Sequence, residues 1–163
     1  MKTLYLIRHA KSDWAIEHLA DIDRALNTRG YKDAHTMSNL LAQRKIKPDA
    51  IITSSAIRAV STALIFARNF NFNAARITLQ PLLYNNTPEK YADIISETDD
   101  KIDTLFLFAH NPTITQCANL LTGENLEDTP TTGITGITNN CNTWHEFTNK
   151  HAKIISFDYP KKL

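Results

Sequence analysis

Three short runs constrain this chain more than any other feature: TLYLI (Thr3–Ile7), AIIT (Ala50–Thr53) and TLFLFA (Thr104–Ala109). Each is apolar without alternation and bounded by polar residues, the pattern of a strand covered on both faces. The segments between them carry helical periodicity. From Gly30, residues Ala34, Met37 and Leu41 recur at spacings of three and four, and the pattern stops before Lys47-Pro48. Ser54-Ser55 offers an N-cap to a second helix with Ile57, Val60, Leu64 and Ala67 as its apolar stripe. NFNFNAA (Asn69–Ala75) closes that helix with two anchoring rings. Pro88 suits the first turn of a third helix that buries Tyr91, Ile94 and Ile95. Pro112 opens a fourth, with Ile114, Cys117 and Leu121 inward and Gly123 as its stop. Arg76–Gln80, Gly133–Thr138 and Ile154–Tyr159 complete the strands. The alternation predicts an α/β fold in three layers: a mostly parallel, doubly wound sheet with helices on both faces, in one domain over 1–163.

Composition narrows the class. Apolar residues make up 42% and charged residues 21%, enough for a globular core. A net charge of +1 argues against a nucleic-acid surface, so any anion site is local. Cys117 and Cys141 form no CxxC pair and no cluster with histidine, which predicts a reducing compartment and no structural zinc. The apolar runs fall short of the roughly 18 residues of a membrane span. The first strand begins at the third residue, leaving no room for a signal peptide, and the expectation is a cytoplasmic protein. Asp13, Asp21 and Asp23 lack the spacing and turn glycine of a calcium loop, and Asp23-Arg24 is expected to fix the long polar segment from Ala10 to about Arg29. His18, His35, His145 and His151 sit in polar surroundings and are expected to be solvated.

Sheets of this kind collect ligands outside the carboxyl ends of their strands. The first strand ends in Arg8-His9, the second leads into a helix start carrying Arg58, and the fourth ends in His110-Asn111. Two guanidiniums and two imidazoles at one edge suit a phosphoryl group. The planar fork of arginine matches phosphate oxygens in pairs, and its charge does not titrate away. His9 is the candidate nucleophile, because neighbouring positive charge keeps an imidazole neutral near pH 7. His110 is the candidate cation, protonated and bound to the oxygens that gain charge during transfer. The arginines supply the electrostatics, so this reading calls for no metal and no cofactor.

The same segments carry a resemblance. LIRHAKS (Leu6–Ser12), DRALNTRG (Asp23–Gly30), TSSAIRAVSTA (Thr53–Ala63) and AHNPTI (Ala109–Ile114) are similar, in order, to four elements of the histidine phosphatase superfamily, also called phosphoglycerate mutase-like. These are its RH signature, its D-x-x-L-[TN]-x-x-G segment, its S-x-x-x-R-A-x-x-T-A element and its HNP element. PTTGI (Pro130–Ile134), Trp144 and DYPKKL (Asp158–Leu163) resemble the SixA-type phosphohistidine phosphatases within it. The resemblance implies that Arg8, Arg58 and His110 bind phosphate and that His9 carries it as a phosphohistidine intermediate. Ser12 would touch the phosphate or orient its loop.

Many relatives place a carboxylate after the third strand as proton donor to the leaving group. Here LLYNNTPEKY puts Asn85 at that position, with Glu89 four residues on as a candidate substitute. An alkoxide leaves badly without an acid, whereas imidazole leaves readily from a P–N bond, so the departure narrows the substrate. At 163 residues the chain lacks the long helical insertion that covers the site in many relatives, and an open site suits a protein-borne phosphohistidine. The implied partner is a phosphohistidine-bearing protein, either a histidine phosphotransfer domain or a phosphotransferase-system carrier, with no nucleic acid and no membrane. Two alternatives stand beside it: a small-molecule phosphatase of the same superfamily, disfavoured by Asn85, and a non-catalytic phospho-ligand sensor, disfavoured by the retention of both histidines.

Overall fold

The computed structural model describes residues 1–148 and 151–163. One sheet of six strands lies at its centre: β1 (Lys2–Arg8), β2 (Ala50–Thr53), β3 (Thr78–Leu79), β4 (Thr104–Ala109), β5 (Ile134–Asn139) and β6 (Lys153–Asp158), in the order β3-β2-β4-β1-β5-β6. β3, β2, β4 and β1 are parallel, while β5 runs antiparallel to both β1 and β6. The expected mostly parallel sheet is present, with β5 as its reversed strand. The reversal follows from the preceding segment, which returns to the carboxyl end of β4: the Thr129 carbonyl accepts from Arg8 and from Asn111 there. A strand entering at that edge must run back.

Alternation inside the apolar runs assigns the two faces. Leu4, Leu6, Leu105 and Leu107 pack under α3 (Pro88–Ser96), α4 (Thr113–Thr122) and α5 (Trp144–Phe147). Tyr5, Ile7, Phe106 and Phe108 pack under α1 (Thr28–Gln43) and α2 (Ile57–Asn69). Burying each large apolar side chain contributes about 1.5–3 kcal/mol, so the unbroken runs are what stabilise a sheet covered on both sides. Arg44, just past α1, holds Asp158 of the closing DYPKKL by two bonds of 2.6 and 3.1 Å.

Helices α3 and α4 follow the sequence closely. Thr87 caps α3 and Tyr91, Ile94 and Ile95 are buried, while Gly123 ends α4 in the left-handed conformation at φ 74°. Two elements differ from expectation. The strand expected over Arg76–Gln80 shrinks to Thr78–Leu79, behind a 3-10 turn at Ala74–Arg76. It is an edge strand with both side chains exposed, so no burial rewards lengthening it.

In α2 the N-cap is Ala56, not Ser54-Ser55, and the buried face is Ala59, Thr62, Ala63 and Phe66. Of the expected stripe only Ala67 is buried, and Ile57 is 42% exposed. The small side chains of Ala59 and Ala63 let the helix lie close to the sheet, and that rotation turns Arg58 inward. Glycine serves one close approach near the site: a Cβ at Gly30 would stand 2.2 Å from the Lys11 carbonyl oxygen. Among the described residues, no helix is long and apolar enough to cross a membrane.

Candidate active site

Strand register brings the predicted site residues together. Arg8 pairs with Ala109 and Thr53 with Phe108, so His9, Ser54 and His110 follow at neighbouring strand ends. The ladder continues one residue further, with His9 N donating to Ala109 O at 3.1 Å and Ser54 N to Phe108 O at 2.9 Å. The reversed β5 begins at the same edge, where Arg8 N donates to Gly133 O and Thr132 N to His9 O.

His9 is nearly buried, and its tautomer is fixed twice over. Its Nδ1 lies 2.8 Å from the Ala10 carbonyl oxygen, which only accepts, so Nδ1 carries the proton. Its Nε2 lies 3.2 Å from Arg58 Nε, which only donates, so Nε2 presents its lone pair. Burial pushes the His9 pKa down to about 4; the Ala10 bond opposes this, and the Arg58 and Arg8 charges add to it. The imidazole is therefore neutral near pH 7.

His110 corrects an expectation. Burial first, then His9 and Arg58, push its pKa down to about 3, so in the folded protein it is neutral rather than protonated. Desolvation of a charged ring costs more than the distant Asp21 carboxylate returns. A dianionic phosphoryl group is the kind of neighbour that would raise it. His110 Nε2 lies 2.8 Å from Ser54 Oγ, which orients the ring, while its buried Nδ1 has no partner among the described residues. The rings of His9 and His110 are 5.0 Å apart.

Two buried neutral histidines make stability depend on pH. An unfolded histidine titrates near 6.5, so below that pH the unfolded chain binds more protons than the folded one. Stability is complete above about pH 6.5 and falls as pH drops toward about 4 for His9 and about 3 for His110. Denaturant unfolding at about pH 7 and about pH 5 should therefore give a lower free energy at the acid end. The His9→Gln, His110→Gln double variant should flatten part of that slope; equal slopes in both proteins would contradict neutral burial.

Arg8 is half-buried. Its NH1 donates to the Thr129 carbonyl at 2.7 Å and lies 3.9 Å from the Asp128 carboxylate, and its buried Nε has no partner among the described residues. Arg58 is buried, and besides His9 it binds Asp21: NH2 donates to Oδ2 at 2.8 Å and NH1 to the Asp21 carbonyl. The Tyr84 hydroxyl donates to the same Oδ2 at 2.8 Å, and the Tyr84 ring packs edge-on to His110 at 5.5 Å. Asn111 donates to Asp128 and to the Thr129 carbonyl, stapling the opposite rim.

Two further predicted residues make no hydrogen bond or ion pair with these four side chains among the described residues. The Ser12 hydroxyl accepts from Trp14 Nε1 at 3.2 Å, so it orients the loop after β1. Glu89 is exposed in the first turn of α3. It precedes buried Tyr91 by two residues, about 200° around the helix, and so faces away from the packed side. Among the described residues, no hydrogen bond or ion pair joins it to either histidine or either arginine of the site. Asn85 sits at φ 52°, a conformation asparagine tolerates, directly after Tyr84. Sequence reasoning missed Ser54, Asp21 and Tyr84. Their only signals were a serine after a strand, an acid in a long polar connection, and a tyrosine beside Asn85.

The structure resembles that of a chain assigned as the phosphohistidine phosphatase SixA of Agrobacterium tumefaciens, with 28% identity, a TM-score of 0.84 and 98% of each chain covered. The protein histidine phosphatase SixA solved with tungstate is 18% identical at a TM-score of 0.85, with 98% of each chain covered. A mycobacterial glucosyl-3-phosphoglycerate phosphatase solved with VO3 is 13% identical at 0.75, covering 98% of this chain and 100% of that one. The last two likenesses are of fold alone. The sequence itself matches the family model over residues 4–85, which takes in β1, Arg8-His9, the Gly30 approach and Arg58, and by that match the chain belongs to the histidine phosphatase superfamily, branch 1.

Proposed function

We propose that this chain is a metal-independent phosphatase that removes the phosphoryl group from phosphohistidine on a cytoplasmic signalling or phosphotransfer protein. The observation that carries the reading is His9 Nε2, a bare lone pair in a neutral, buried imidazole beside Arg58. In the proposed first step Nε2 attacks phosphorus in line, and the P–N bond to the substrate imidazole breaks as the bond to His9 forms. The departing imidazole takes up a proton. Water then attacks the phosphoryl group on His9, the P–Nε2 bond breaks and inorganic phosphate leaves. Arg8, Arg58 and the unpartnered Nδ1 of His110 are the groups available to the equatorial oxygens. Two similar proteins were solved with the oxyanions tungstate and VO3, which supports a phosphate-shaped cradle here.

Substrate class rests on the leaving group. Asn85 cannot supply an acidic proton, and Glu89 is exposed and, among the described residues, unbonded to the site's histidines and arginines, so on this reading expulsion depends on the stability of the departing group. Phosphohistidine protein should be cleaved well, an activated aryl phosphate detectably, and phosphoserine peptides or sugar phosphates about 10²–10⁴-fold more slowly. Chelator should change none of these rates. Asn85→Glu should raise the alkyl rate more than the phosphohistidine rate. Equal wild-type rates on alkyl phosphates and phosphohistidine would favour a small-molecule phosphatase, and loss of activity on chelation, restored by metal, would overturn metal independence.

A further inference from the structure

The connection between β1 and α1 delivers one carboxylate to the site, and the nitrogens of Arg58 account for its use. NH1 donates to the Asp21 carbonyl, NH2 donates to Asp21 Oδ2 at 2.8 Å, and Nε donates to His9 Nε2 at 3.2 Å. Two of the three nitrogens are thus held by one residue, and the third is aimed at the lone pair of His9. Tyr84 backs the arrangement from the other side, donating to the same Oδ2 while its ring lies against His110. The connection is itself pinned for this purpose: Arg24 is buried, donates to the Ile16 carbonyl at 3.0 Å and stacks on Trp14 at 4.0 Å.

We infer that Asp21 is a positioning residue, fixing the Arg58 guanidinium so that its Nε–H holds the His9 imidazole in attacking orientation until a phosphoryl group replaces that bond. The inference rests on the reading of His9 as nucleophile. It explains why an acid nearly half exposed is bonded to a guanidinium that is only 8% exposed. The carboxylate compensates a buried charge, and its hold on two of the three guanidinium nitrogens also fixes the plane of the group. It also explains the polar length of the connection, which packs few apolar side chains yet is tied down at both Arg24 and Asp21.

The carboxylate has a second, opposing effect that makes the idea testable. Its negative charge lies beside the groups that must receive an anion, and it raises the proton affinity of both His9 and His110. Asp21→Asn should therefore lower turnover of an activated aryl phosphate and at the same time tighten binding of inorganic vanadate. We expect kcat to fall about 10- to 100-fold, the scale of a misplaced catalytic group, with a several-fold lower vanadate inhibition constant. Tyr84→Phe keeps the charge and loses one bond, so it should lower kcat less and leave vanadate binding near wild type.

A merely structural carboxylate would weaken turnover and vanadate binding together. That result, or unchanged kcat in Asp21→Asn, overturns the inference. Nitrogen chemical shifts of the His9 ring supply a readout independent of turnover. In wild type Nε2 should be unprotonated with the shift of a nitrogen that accepts a hydrogen bond, and in Asp21→Asn it should move toward the value of a free lone pair while Ala10 keeps the proton on Nδ1. A wild type without any turnover sinks the phosphatase reading, and the ring shifts then decide the role of Asp21: an unaltered Nε2 shift in Asp21→Asn refutes it.

Discussion

His9→Ala should lose about 10⁴- to 10⁶-fold in kcat, the loss expected when a nucleophile that acts as part of a unit is removed. The wild-type enzyme, quenched during turnover of a labelled phosphohistidine protein, should carry label on His9. The geometry gives the reason. Ala10 takes the Nδ1 proton, Arg58 points at Nε2, and burial keeps the ring neutral, so one nitrogen of one residue is prepared for attack. A phosphoryl group there is a phosphoramidate, labile to acid and stable to alkali. His110 offers no equal alternative, because Ser54 occupies its Nε2 and its Nδ1 is the nitrogen left to bind oxygens. Label on any other side chain, or full activity in a folded His9→Ala protein, would end the assignment.

Arg58→Ala should raise the barrier by about 2–4 kcal/mol, a fall in kcat of roughly 30- to 1000-fold. Arg58 touches His9 directly, and in the proposed mechanism it also meets the oxygens that gain charge, so its loss should remove orientation and electrostatic stabilisation together. Nucleophile protonation does not compete as an explanation. The guanidinium lowers the His9 pKa, and removing it raises that pKa, but burial is the larger cause and still holds the ring neutral at pH 7. Arg58→Lys should rescue little, since one ammonium cannot bond His9 and Asp21 at once and also meet the substrate. An effect confined to KM would mean that Arg58 binds only the ground state.

The sequence by itself determined the parts of this protein that are local. Unbroken apolar runs become strands covered on both faces because alternating side chains of TLYLI and TLFLFA fill two separate cores. Pro88, Pro112 and Gly123 mark helix ends because each restricts or frees the backbone where it stands. Arg8, His9 and His110 reach one edge because they follow parallel strands in register, a consequence of position along the chain.

What only the tertiary structure decided depends on neighbours far apart in sequence. The direction of β5 is set by the return of its preceding segment to Arg8, across 121 residues. The face that α2 buries is chosen by how closely Ala59 and Ala63 approach the sheet, which the apolar stripe of Ile57, Val60 and Leu64 does not report. The charge state of His110 does not follow from its residue type, because proton affinity follows desolvation and through-space charge. Asp21 reaches Arg58 across 37 residues. No periodicity or spacing encodes that meeting, since a long polar connection can place its carboxylate anywhere until packing of Arg24, Trp14 and Gly30 fixes its path.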